Sequence, residues 1–73
     1  MLIKGQVTDI YPMDNYYKVI TVKRRRSKKT ESFDFYVRRN EYNKLLIADI
    51  VRIKFDKKAE PHEQIKELWV LQA

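Results

Sequence analysis

A chain of 73 residues with sixteen Lys and Arg, ten Asp and Glu and no cysteine describes one small domain of formal charge +6 and pI near 9.7. These values exclude a disulfide framework and a cysteine-based zinc site, and 44% hydrophobic residues exclude a disordered chain. No run approaches the roughly 18 apolar residues of a membrane span, and the first residues lack the pattern of a signal peptide, so a cytoplasmic module is expected.

Leu2 to Tyr11 reads as a strand from its β-branched and aromatic residues, ended by Pro12 and the turn-forming Met13, Asp14 and Asn15. Ile3, Gly5 and Val7 share one face while Ile10 has the opposite parity, which requires a bulge or a tight bend. A lone glycine inside a strand marks either. Tyr16 to Arg26 is the second strand, with Ile20 and Val22 on one face and Tyr17, Val19, Thr21, Lys23 and Arg25 on the other. In Ser32 to Arg38, Phe33, Phe35 and Val37 alternate with outward Asp34, Tyr36 and Arg38, and the short polar connection implies an antiparallel hairpin. Its tip is a cationic run from Lys23 to Lys29.

Asn40 suits a helix N-cap with Glu41 near the positive end, predicting one or two helical turns through Leu45 or Leu46. Asp49 to Asp56 is the fourth strand, with Val51, Ile53 and Phe55 inward and Arg52 and Lys54 outward. Lys57 to Glu63, with Pro61, has loop composition. In the last segment Ile65, Leu68 and Trp69 have helical spacing, but Leu68 to Leu71 is a continuous apolar run. A fifth strand is preferred, because four strands cannot close a small barrel.

This order describes an all-β chain with one short helix: a five-stranded OB-fold barrel, β-β-β-α-β-β, with residues 1–73 as a single domain. Four segments carry a resemblance: Gly5-Gln-Val7, Tyr11-Pro12, Tyr16-Tyr17-Lys-Val19 and Ala48-Asp49-Ile-Val51-Arg-Ile53. They are similar to the strand patterns of small OB-fold nucleic-acid-binding proteins of the S1, bacterial initiation-factor-1 and single-stranded-DNA-binding types. Ala48 stands where that pattern has glycine. The resemblance implies a binding face centred on strands two and three, rimmed by the connections between strands one and two and between four and five.

On that face Tyr17, Lys23, Arg25, Tyr36 and Arg38 form an outward set, with cross-strand neighbours about 5 Å apart. Tyr17 and Tyr36 can stack on bases while the cations neutralise phosphates; Asp34, on the same side, opposes them. Arg24, Arg26, Lys28 and Lys29 extend the cationic tip, and Lys57 and Lys58 offer an opposite wall. The expected function is single-stranded nucleic-acid binding with weak sequence preference, DNA slightly favoured over RNA. The other reading is a protein-interaction module whose open barrel edge pairs with a partner strand or a second copy, Val19 lending apolar contact. Phe33, Phe35, Phe55 and Trp69 are read as core, and Tyr42 as a plug at the bottom of the barrel. His62 is the sole histidine, without a nucleophile or second ligand, and Glu60, Glu63 and Glu67 serve to balance lysines. No catalysis, cofactor or metal is expected.

Overall fold

The alternating pattern resolves into five antiparallel strands in a computed structural model, which describes all residues 1–73. They are β1 (Leu2–Pro12), β2 (Tyr17–Arg26), β3 (Lys29–Arg38), β4 (Ile50–Phe55) and β5 (Ile65–Gln72). The sheet order is β3-β2-β1-β4-β5, so β1 is central and β3 and β5 are edges. The chain is all-β, and its last segment is a strand as preferred. No helix is long and apolar enough to cross a membrane.

The helix expected after Asn40 is absent. Residues 39–49 form successive turns, in which the Glu41 N–H donates to the Arg38 carbonyl at 3.0 Å and the Leu45 N–H to the Tyr42 carbonyl at 3.1 Å. Tyr42 takes φ 54°, a left-handed value that a right-handed helix cannot contain, so the cap signal at Asn40 has no helix to start. Tyr42 nonetheless packs against the core beside buried Leu45. The single helical turn of the molecule is 3-10, Pro61–Glu63, inside the connection read as loop.

Parity along β1 is corrected by a bulge, but not at the glycine. Val7 pairs with Val22 and Asp9 with Thr21, leaving Thr8 as the extra residue. Gly5 serves a different need. A Cβ there would lie 2.6 Å from the Lys23 carbonyl oxygen and 2.8 Å from Val22 Cγ1, so the missing side chain lets β1 run directly against the β2 backbone. At this crossing β1 changes partners: Gln6 faces Lys23 of β2 on one side and Ile50 of β4 on the other.

The core is built from Ile3, Val7, Ile20, Val22, Phe35, Val37, Leu45, Val51, Ile53 and Phe55. Phe35 and Phe55 meet edge to face at 5.1 Å, and Phe33 lies 6.0 Å from Phe55. β3 and β4 are not sheet neighbours, so these contacts require the sheet to curl until side chains of β3 and β4 meet over its inner face. The curl stops short of a hydrogen-bonded closure, since no pairing joins β3 to β5.

Two sequence expectations about burial are corrected. Val19 is 2% exposed despite its outward parity, being flanked in register by Tyr36 on β3 and Tyr11 on β1. It therefore offers no apolar contact surface. Trp69 is 41% exposed, because Ile65 and Leu68 take the positions of β5 that pack on the core and the register sets Trp69 opposite outward Arg52.

The turn before β4 contains a strained residue. Ala48 has φ 82°, held by its N–H donating to the Val7 carbonyl at 2.7 Å, while the buried Asp49 carboxylate accepts from the Leu46 N–H at 2.9 Å. A left-handed conformation costs a residue with a Cβ roughly 1–2 kcal/mol, partly offset by the lower flexibility of alanine in the unfolded chain. Ala48→Gly is expected to raise the stability by about 0.5–1 kcal/mol. An unchanged or lower urea midpoint would contradict the strain.

Candidate nucleic-acid interface

Asp14 organises one end of the β2–β3 face. Its carboxylate Oδ1 accepts from the N–H groups of Tyr16 at 2.7 Å and Tyr17 at 2.8 Å, fixing the β1–β2 turn. The Arg39 N–H donates to the Tyr16 carbonyl at 2.9 Å, bringing the end of β3 alongside. The result is a depression lined by Asn15, Tyr16, Tyr17, Arg38, Arg39 and Asn40. Tyr16 is 75% exposed. A second depression shares Tyr17 and adds Met13, Tyr36, Pro61 and His62. The 3-10 turn packs against β3 and sets the His62 ring 5.4 Å from that of Tyr17, tilted by 43°.

Of the residues singled out from sequence, the structure brings Tyr17, Tyr36 and Arg38 together at this end. Lys23 and Arg25 share the same face but lie six and eight positions further along β2, about 20 Å from Tyr17 and more at 3.3 Å per residue. Between them the face is polar and acidic. The Thr21 hydroxyl, buried, donates to Asp34 Oδ1 at 2.7 Å, and Asp9 pairs with Thr21 from the other side. The outward set is thus two clusters separated by a carboxylate-bearing row.

The hairpin tip divides by parity. Ser27 and Lys28 alone connect β2 to β3, with Ser27 at φ 56°, the sign a two-residue hairpin demands of its first turn residue in a type II′ turn. Arg24 belongs to the inward side: its Nη2 donates to Glu31 Oε1 at 2.9 Å and its guanidinium lies 5.3 Å from the Phe33 ring centroid. It closes the end of the core and is not free for a ligand. Arg26 faces Lys29 across the tip, a like-charge pair, while Arg25 faces Thr30 and Lys28 is exposed.

Lys57 and Lys58 sit in a turn after β4 where Asp56 Oδ1 accepts from the Lys58 N–H at 2.9 Å. Both are exposed, and they line neither depression; Pro61 and His62, from the same connection, are what reach the tyrosines. Sequence reasoning missed Tyr16, Arg39 and His62. Their signal was adjacency to Tyr17 and Arg38 at strand ends, and, for His62, a proline-started turn able to fold back.

Lys18, opposite Val37 on the inward side, has its ammonium pKa lowered by burial, with Glu41 opposing and Arg39 adding to the fall. The Tyr42 hydroxyl is raised, by burial first and by Glu41 second. Neither group borders the depressions around Tyr17, where charge comes from Arg38 and Arg39. Comparison with protein-family models, with curated proteins and with solved structures finds no match to this chain.

Proposed function

We propose that the chain is a single-stranded nucleic-acid-binding module of OB-fold type, holding bases on tyrosine rings and phosphates on arginine and lysine, with DNA slightly favoured over RNA. The observation that carries the reading is the junction of Tyr16, Tyr17 and Tyr36 with Arg38 and Arg39 at one end of the β2–β3 face. Rings beside guanidinium groups are what an unpaired strand needs and what a duplex, with its bases already stacked, cannot use. The four pairings β1–β2, β2–β3, β1–β4 and β4–β5 favour the OB-fold topology, as does the curl that brings Phe33 and Phe35 to Phe55. Arg26 opposite Lys29 adds support, because a like-charge pair is unfavourable in the free protein and is relieved by an anion.

The interaction-module reading draws on the free edges of β3 and β5. Against it, β5 carries extra residues at Lys66 and Leu71 where its register with β4 shifts, and both edges bear charged side chains. Bulges and charges are how sheet edges are kept from pairing with other chains.

Anisotropy titration of labelled oligo-dT, oligo-U and duplex DNA at two salt concentrations tests the proposal. With about four to six phosphates neutralised, the logarithm of affinity should fall with log salt at a slope of roughly −3 to −4. Arg25→Met should weaken binding while Arg24→Met, changing an inward residue, should not. Duplex binding as tight as oligo-dT, or no binding of single strands at low salt, overturns the reading.

A further inference from the structure

The outward side of the other half of the sheet carries cations around an aromatic ring that the β2–β3 face does not include. Register sets Lys4 of β1 opposite Arg52 of β4, and Arg52 opposite Trp69 of β5; Leu2 faces Lys54, and Lys54 faces Glu67. Lys4, Arg52 and Lys54 are all exposed, and Trp69, Met1 and Leu2 join Arg52 and Lys54 around a shallow depression. Trp69 is 41% exposed and takes part in none of the ring-to-ring or cation–π contacts of the molecule.

We infer that this surface is a second contact for the same single strand, with Trp69 as a stacking platform and Lys4, Arg52 and Lys54 as phosphate contacts. The inference rests on the proposed nucleic-acid function. Charge selects the occupant: among these outward positions Glu67 is the one acid, whereas the β2–β3 face interposes Asp34 and Asp9 between its rings and its tip. Continuity selects it too. Gln6 pairs with Lys23 on one side and Ile50 on the other, so Lys23 and Arg25 of β2 lead across β1 toward Lys4 and Arg52. From β2 to β5 this row spans three strand spacings, about 14 Å. A strand laid across it would meet a cation on β2, β1 and β4 before reaching the indole.

Trp69 is the sole tryptophan, so its emission reports on this surface alone. The full chain is titrated with labelled oligo-dT at low salt, following anisotropy and tryptophan emission together, with sedimentation of the free protein alongside. The indole should quench with the same concentration dependence as the anisotropy. Trp69→Ala should weaken binding about 5- to 160-fold, as expected for one lost base stack, and Trp69→Phe should restore most of it. Arg52→Gln, which leaves the ring in place, should weaken binding and flatten the salt dependence. Oligo-dT binding with unmoved indole emission and unaltered affinity of the Trp69 and Arg52 variants overturns this inference and leaves the proposed function standing. Absence of any binding removes both. A Trp69→Ala protein that changes its sedimentation while binding oligo-dT normally overturns it in favour of a contact between copies.

Discussion

Alanine at both Tyr17 and Tyr36 is expected to weaken oligo-dT binding by roughly 1–3 kcal/mol for each stacked ring lost, the largest effect on affinity of any change considered. The two rings line one depression with His62, so a base held there loses both of its flat neighbours at once. Part of any loss must be separated from destabilisation. Tyr36 flanks buried Val19, and its truncation exposes that side chain. Urea unfolding of the double variant supplies the control, and Tyr17→Phe with Tyr36→Phe keeps the rings and should keep the affinity. A folded double-alanine variant that binds like the parent would move the site off this face.

Gly5→Ala is expected to give the largest loss of stability, about 1–3 kcal/mol. The added methyl would stand 2.6 Å from the Lys23 carbonyl oxygen, and that atom is backbone, so relief requires β1 and β2 to separate. All the close contacts of that methyl are with β2, at the point where β1 exchanges β2 for β4 and Gly5 itself pairs with Val51. A domain of this size has about 4–11 kcal/mol in total at the usual range per residue, which makes the loss a large fraction. Thermal or urea unfolding checks it; an unchanged midpoint would show that the close approach relaxes freely.

The strands were legible because alternation is a period-two signal that side-chain burial enforces. Val51, Ile53 and Phe55 point inward while Arg52 and Lys54 do not, as their order in the chain requires. The hairpin followed from two such runs on either side of a polar tip. Asn40 and Glu41 misled because a cap residue signals a helix only when the following backbone can be right-handed, and Tyr42 is left-handed. Trp69 was misplaced because a run of four apolar residues fixes no parity; the extra residues at Lys66 and Leu71, invisible in sequence, decide which of them face the core. Val19 shows the opposite limit. Its outward position was correctly read, but its cover comes from residues remote in the chain, Tyr36 and Tyr11, and from no local pattern. The partition of the face into aromatic and cationic ends was partly readable, since Asp34 and Thr21 share the parity of Tyr17 and Tyr36.

The place of β1 in the middle of the sheet also bears on how the chain finds its fold. β2 and β3 are joined by two residues and β4 and β5 by a longer connection, residues 56–64 with the 3-10 turn, and both are local in sequence, whereas β1 meets β4 only by bringing Leu2 to Lys54 across the intervening sequence. Closing that long loop costs entropy before its contacts reward it, so the β1–β4 pairing is expected to form after the local hairpins, and stopped-flow refolding of a variant weakened at Gly5 would show it as a slowed rate. Lys4 and Arg52, which face each other across this junction, are therefore aligned only once the two halves have met.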